Sequence, residues 1–341
     1  MKKFLSKSLF GLEGGSSLPS VEIAYHTVGN LAPDGSNVVW VCHALTANSD
    51  VCDWWSGLFG SGKYFDPKRY FIVCANVLGS CYGSSGPLST NPNTGSPYYH
   101  DWPLVTIRDM VQAHELLCAH LGISKIHTLI GGSMGGFQAI EWAIKRPHLA
   151  ENLVLIATSA KHSPWGIAFN ESQRLAIQAD TTWNEKNPEA GKRGLLAARS
   201  IALLSYRHYN AYNTSQAEQE ENKMEDFRAA AYQHYQGTKL VNRFNAFSYY
   251  SLTRSMDSHH IGRKRGNTEQ TLGTIQSNTL VIGINSDQLF PPVEQAHLAL
   301  HIPNSQLELI DSPYGHDGFL IETQKLTEIL VESNLPIYLR T

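Results

Sequence analysis

The chain has 341 residues, 42% of them hydrophobic and 17% charged, which excludes intrinsic disorder, a state that needs low hydrophobicity and high net charge. Lys and Arg number 27 against 30 Asp and Glu, a formal charge of −3, so no footprint for nucleic acid or an anionic membrane surface is expected. No apolar run approaches the ~18 residues of a membrane span, and the length suggests one large or two modest domains.

The N-terminal MKKFLSKSLF is interrupted by Ser6, Lys7 and Ser8 before a signal-peptide core could form, so no secretory signal and a cytoplasmic location are expected. Cys42, Cys52, Cys74, Cys81 and Cys118 are odd in number and lack CxxC spacing, which reads as reduced thiols rather than disulfides or zinc ligands. Apolar runs at 38–42, 70–77, 126–130 and 153–157 read as buried strands, and helical patterns at 107–121 and 137–145 lie among them. This alternation predicts a mostly parallel sheet covered on both faces. The stretch 79–97, GSCYGSSGPLSTNPNTGSP, reads as a loop long enough to expect a functional role. Residues 163–255 carry helical periodicity with almost no strand signal, and strands resume at 279–284 and 306–310, followed by a helix at 319–331. An α/β core of residues 1–161 and 273–341, interrupted by a helical lid at 162–272, is therefore expected.

Gly131-Gly132-Ser133-Met134-Gly135 matches G-x-S-x-G between a strand-like and a helix-like run, the context in which a serine hydroxyl is held exposed on a strained turn. The small residues Gly131 and Gly135 would let that turn pack closely. The alternative is an ordinary turn with a helix N-cap serine. A serine needs a base, and in this arrangement the acid and then the histidine follow in chain order. Asp287 lies past the strand-like run TLVIGI, and His316 past QLELI, where open α/β sheets place their sites. Asp287 could instead cap the helix starting near Pro291, and His316 could be a surface histidine. Backbone N–H groups for an oxyanion are expected from Met134, after the nucleophile, and from Leu45 in His43-Ala44-Leu45-Thr46, with Ala44 as the fallback. The alternative for 43–46 is a plain strand exit.

Residues 190–206 read as a helix on which Leu195, Arg199, Ala202, Leu203 and Tyr206 share a stripe, while Ile201 and Leu204 make the other side apolar too, so a well-buried helix is expected. A guanidinium in that setting needs an anion, and its planar fork fits a carboxylate. An ion pair with a lid glutamate, or a stem reaching solvent, would satisfy Arg199 equally. Tyr206 could bond the same ligand or be a core aromatic. Asp317 could accept from an ammonium or cap the last helix. Arg263-Lys264-Arg265 could meet phosphates, although a solvated loop suits it better.

HALT (43–46), NVLGSCYGSSGP (76–87), TIRDMV (106–111), GGSMGGFQAIEWA (131–143), AFNESQR (168–174), AARSIALLSYR (197–207), YQGTKLVNRFNAFSYYSLTRSMDSH (235–259) and GHDGFL (315–320) closely resemble the homoserine O-acetyltransferase family of the α/β-hydrolase superfamily. The resemblance implies an acyl transfer from acetyl-CoA to L-homoserine in methionine biosynthesis, with Ser133, Asp287 and His316 as the triad. It implies that Arg199 and Asp317 bind homoserine with Tyr206 near it. It further implies a homodimer built through the lid helices. No metal or tightly bound cofactor is expected, acetyl-CoA being a substrate. One departure is HALTANSD, where many members carry glycine after the threonine. Neighbouring readings are a succinyl donor, a serine acceptor, a carboxylic ester hydrolase, or a non-catalytic binding protein of the same fold.

Overall fold

The computed structural model describes residues 1–333 and 335; residues 334 and 336–341, the end of the expected core, lie outside the described residues. Its frame is an eight-stranded sheet. The strands are β1 (Lys2–Ser6), β2 (Val21–Val28), β3 (Val38–Cys42), β4 (Phe71–Ala75), β5 (Ile126–Gly132), β6 (Ala150–Ile156), β7 (Asn278–Ile284) and β8 (Ser305–Ile310), in the spatial order 1-2-4-3-5-6-7-8. β2 pairs antiparallel with β1 and β4, and every other pairing is parallel. Side chains of a strand alternate between faces. In β3, Val38, Trp40 and Cys42 enter one hydrophobic cluster, and Val39 and Val41 enter the other. Two covered faces explain why all five of its residues are buried.

Helices α1 (Ile107–His120) and α2 (Met134–Lys145) follow β4 and β5. The start of α1 is set by a capping box: Asp109 N–H donates to the Thr106 hydroxyl, and Thr106 N–H donates to Asp109 Oδ2 at 2.8 Å. Between β6 and β7 the chain runs through α3 (Pro164–Gln178), α4 (Lys192–Tyr206), α5 (Tyr209–Ser215), α6 (Arg228–Val241) and α7 (Ala246–Asp257). α8 (Pro292–His301) separates β7 from β8, and α9 (Gly318–Ile321) and α10 (Thr323–Glu332) follow β8. Both strands after the helical stretch rejoin the same sheet, β7 beside β6 and β8 beside β7. No helix among the described residues is long and apolar enough to cross a membrane, and the five cysteines are free thiols.

Two expectations change. The single helix expected over 319–331 is two, broken at Glu322, whose ψ of 44° no longer continues α9. α4 is not apolar and buried all round: Leu204 is 56% exposed, and its stripe faces solvent opposite the buried Leu195, Ala198 and Leu203. The loop 79–97 is tied to β2 at one end and, through the Tyr82 hydroxyl, to Arg243 of the helical stretch. Ser85 N–H donates to Glu22 O, and Ala24 N–H donates to Ser84 Oγ, fastening the loop along β2.

Candidate active site

β5 runs directly into Ser133, and α2 begins one residue later. Ser133 occupies the N-cap position, but its φ of 56° and ψ of −126° are not those of a capping serine, and its side chain caps nothing. The capping alternative therefore fails. A non-glycine residue in this conformation costs on the order of 1–3 kcal/mol and persists only when its surroundings fix it. Here Ser133 N–H donates to Ile156 O at 3.0 Å, and Gly136 N–H donates to Ser133 O at 2.9 Å. A Cβ on Gly131 would sit 2.2 Å from Gly135 O, and one on Gly135 would sit 2.1 Å from Cys42 O. Both glycines thus permit backbone contact, and the second brings the loop leaving β3 against the turn that carries Ser133.

The hydroxyl expected to be exposed is buried, Ser133 being 6% exposed, and the turn aims it at an imidazole. Ser133 Oγ lies 2.9 Å from His316 Nε2, and His316 Nδ1 lies 2.7 Å from Asp287 Oδ2. The other carboxylate oxygen accepts from Leu289 N–H at 2.8 Å and Phe290 N–H at 2.9 Å. Asp287 therefore does both things considered for it: one oxygen caps the 287–290 turn and the other orients an imidazole. It does not cap α8, whose N-cap position is Pro291. Ser286 Oγ joins the two loops, donating to Ser312 O at 2.5 Å and accepting from Gly315 N–H at 3.0 Å. His316 is only 4% exposed, with Phe290, Phe319 and Tyr206 around its ring. Burial alone would lower its pKa, but the charge and hydrogen bond of Asp287, with a further pull from Asp317, outweigh burial and hold it above the ordinary value. A neutral imidazole bonded in this way can take the serine proton, so the arrangement is chemically that of a nucleophile, base and orienting acid.

Met134 N–H, in the first turn of α2, and the N–H groups of Ala44 and Leu45 donate to no acceptor among the described residues. They remain free for an incoming oxygen, and of the two in 43–46 the Leu45 N–H belongs to the peptide whose carbonyl lies 2.8 Å from His43 Nδ1. A cavity of about 520 Å³ reaches Ala44, with Thr46, Arg199, Arg207 and Asp317 also in its lining. Ser133, His316 and Tyr206 are not among its lining residues. Arg199 makes no ion pair with any described carboxylate, so the lid-glutamate alternative falls away. Its guanidinium carbon lies 5.4 Å from the centre of the Tyr206 ring, which in turn lies 5.8 Å from His316. Asp317 makes no cap hydrogen bond to α9. It pairs instead with Arg207, whose Nε is 2.7 Å from Oδ2. Burial pushes the Asp317 carboxyl up, against the pull of Arg207, Arg199 and His316.

Arg207 was not singled out in the sequence, although it directly follows Tyr206; only the fold reveals its partner. Arg263 and Arg265 belong elsewhere. Arg263 pairs with Glu13 at 2.8 Å and Arg265 with Glu141 at 2.6 Å, while Arg108 joins both acids. This network replaces both the phosphate site and the solvated loop expected for 263–265, leaving only Lys264 exposed.

Known proteins share this frame. The α/β hydrolase fold family matches residues 37–323. The homoserine O-acetyltransferase of Cyclobacterium marinum is 50% identical over 327 residues, covering 96% of this chain and 93% of its own length. Among solved structures, homoserine O-acetyltransferase from Bacillus anthracis superposes with a TM-score of 0.88 at 23% identity, over 98% of both chains. A mutant of esterase E22 gives 0.87 at 25% identity, over 96% of this chain and 98% of that one. Two different activities thus sit on nearly the same backbone, and sequence identity over the whole length divides them: the chain belongs to the homoserine O-acetyltransferase family, within the α/β-hydrolase fold.

Proposed function

We propose that this protein transfers the acetyl group of acetyl-CoA to the hydroxyl of L-homoserine through an acyl-serine intermediate. The observation that carries this reading is the Ser133–His316–Asp287 chain of hydrogen bonds near Arg199, which pairs with no described carboxylate, and the half-buried Asp317. His316 Nε2 takes the Ser133 proton as Oγ attacks the thioester carbonyl. The oxyanion rests on the N–H groups of Met134 and Leu45. The C–S bond breaks, His316 returns the proton to the sulfur, and CoA leaves an acetyl-serine. Homoserine then enters with its carboxylate on Arg199 and its ammonium on Asp317. His316 takes the proton of its hydroxyl as that oxygen attacks the acyl carbon; the bond from the acyl carbon to Ser133 Oγ then breaks, and His316 returns the proton to Oγ, leaving O-acetylhomoserine and free enzyme.

The cations Arg199, Arg207, Lys239 and Arg243 line the cavity against only Asp53 and Asp317, a balance suited to a carboxylate and to the phosphates of CoA. We read residues 162–272 as a lid that keeps water, the competing acceptor, from the acyl-serine. Leu175, Leu204 and Tyr235, exposed on that segment, support a homodimer joined through it, which sedimentation would test.

The likeness to esterase E22 favours one other reading, hydrolysis. Acetyl-CoA and succinyl-CoA, each offered with homoserine, serine or water, decide between them, with CoA release and product mass as readouts. Rapid CoA release with acetyl-CoA and homoserine, and little with water, is expected; equal rates with water would sink the transferase reading. Arg199→Ala is expected to raise the homoserine concentration needed for half-maximal rate by about 10²-fold, the ~3 kcal/mol of a lost charge-assisted contact. The first CoA burst should stay near wild type. Equal loss in both half-reactions would give Arg199 a structural role instead.

A further inference from the structure

We infer that His43 and Thr158 are positioning residues for the oxyanion hole: each donates a hydrogen bond to the carbonyl of the peptide group whose N–H serves the oxyanion. The inference rests on the acyl-serine reading above. In a trans peptide the C=O and N–H point in opposite directions within one plane. A side chain fixed on the carbonyl therefore aims the N–H away from itself. It also polarises the peptide, strengthening the bond the N–H makes by about 10–30%.

The two donors have the same construction. Met134 N–H shares its peptide with Ser133 O, and Thr158 Oγ1 donates to that oxygen at 2.9 Å, alongside Gly136 N–H at 2.9 Å and Phe137 N–H at 3.4 Å. Leu45 N–H shares its peptide with Ala44 O, which lies 2.8 Å from His43 Nδ1. Val77 N–H donates to His43 Nε2 at 3.1 Å, so Nε2 is the acceptor and Nδ1 carries the proton given to Ala44 O. His43 and Thr158 are both fully buried. Burial pushes the His43 pKa down to about 4, so one neutral tautomer persists across the working range. Neither residue touches the reacting atoms.

Neighbouring residues hold the pair in register. Gln138 Nε2 donates to both His43 O and Met134 O at 3.1 Å, tying the loop after β3 to α2. A Cβ on Gly136 would lie 2.5 Å from the Thr158 side chain, so this glycine is what admits Thr158 to the Ser133 carbonyl. Ala157, at φ 47°, turns the chain at the end of β6 immediately before Thr158. These contacts give a role to Gly136, Ala157 and Gln138 that the nucleophile itself does not require.

Thr158→Val removes the hydroxyl at nearly constant shape, and Thr158→Ser keeps it. Rapid-quench rates for enzyme acetylation by acetyl-CoA and for deacetylation by homoserine are compared with the Kd of methylboronic acid, whose serine adduct places an anionic oxygen in the hole. Thr158→Val is expected to slow both half-reactions about tenfold, less than the 10²–10³ lost when an oxyanion donor itself is removed. It should weaken the boronate by the same factor and leave half-saturation by homoserine unchanged, with Thr158→Ser close to wild type. Wild-type rates in Thr158→Val, or slowed rates with unchanged boronate affinity, would overturn the inference. Should Thr158→Val not fold, His43→Leu against His43→Asn repeats the comparison, since Asn retains a donor toward Ala44 O. Ser133→Ala separates the two levels: inert Ser133→Ala with unaffected Thr158→Val defeats this inference alone, whereas acetylated Ser133→Ala defeats the reading beneath it.

Discussion

Replacing Ser133 by alanine is expected to lower turnover by about 10⁵–10⁶-fold, as removal of an activated serine nucleophile does elsewhere, and to abolish the mass gain of one acetyl group on incubation with acetyl-CoA alone. The loss should be chemical rather than structural. Alanine keeps the backbone, and this fold already holds an alanine at positive φ two residues beyond β6's Leu155, at Ala157. The Ser133 side chain makes one hydrogen bond, to His316, so little folding energy goes with it, and the melting temperature should move by only a few degrees. Intact-mass spectrometry of both proteins, with and without homoserine, reads the result. A persisting acetyl adduct in Ser133→Ala would place the acyl group on another residue; no adduct in the wild type, with intersecting double-reciprocal plots, would point to direct transfer in a ternary complex.

The parts of the molecule legible in the sequence are those whose signal is local. β3 and β4 are apolar along their length, and β5, β6 and β7 over most of theirs, because both faces are covered, so each stands out as a run. β1 and β2 do not: KKFLS lies at the sheet edge with mostly exposed or half-exposed residues, and VEIAYHTV mixes buried and half-buried positions. Ser133 carried its own context, a strand before and a helix after, and Asp287 and His316 were found from their places past strand ends. The hydrogen bonds that gather them, and the Asp317–Arg207 pair, span too much chain for any spacing rule. The exposed Leu204 shows the opposite failure, since an apolar residue on a helix marks a contact face without saying whether that face is covered within one chain. Thr158, His43 and Gln138 were invisible for a third reason: their partners are backbone carbonyls, which every residue has.

Asp287→Asn is the more discriminating of the substitutions around His316, because the surroundings dictate how the amide must sit. Leu289 N–H and Phe290 N–H both donate to Oδ1, so the amide oxygen takes that place and the NH₂ turns toward His316 Nδ1. That nitrogen must then accept, the ring proton moves to Nε2, and the base facing Ser133 Oγ is lost. A fall in turnover of about 10⁴-fold is expected, the size of effect seen when a triad imidazole is held in the wrong tautomer. The pH profile should change with it. In the wild type the charge and hydrogen bond of Asp287 hold the His316 pKa above its ordinary 6.5 despite burial, so kcat/KM for acetyl-CoA should rise with pH through that raised value as the imidazole becomes neutral. Without the carboxylate, burial prevails over the weaker pull of Asp317, and the residual acid limb should move below 6.5. Stability follows the same linkage with the opposite sense. The raised pKa stabilises the wild-type fold below the unfolded value of 6.5 and loses that contribution as pH rises through the folded value. The variant should therefore be most destabilised relative to wild type below pH 6.5, with the gap narrowing above the folded pKa. Urea midpoints at several pH values, alongside the rate profile, test both signs; an acid limb left where the wild type has it would mean that Asp287 does not set the protonation of His316.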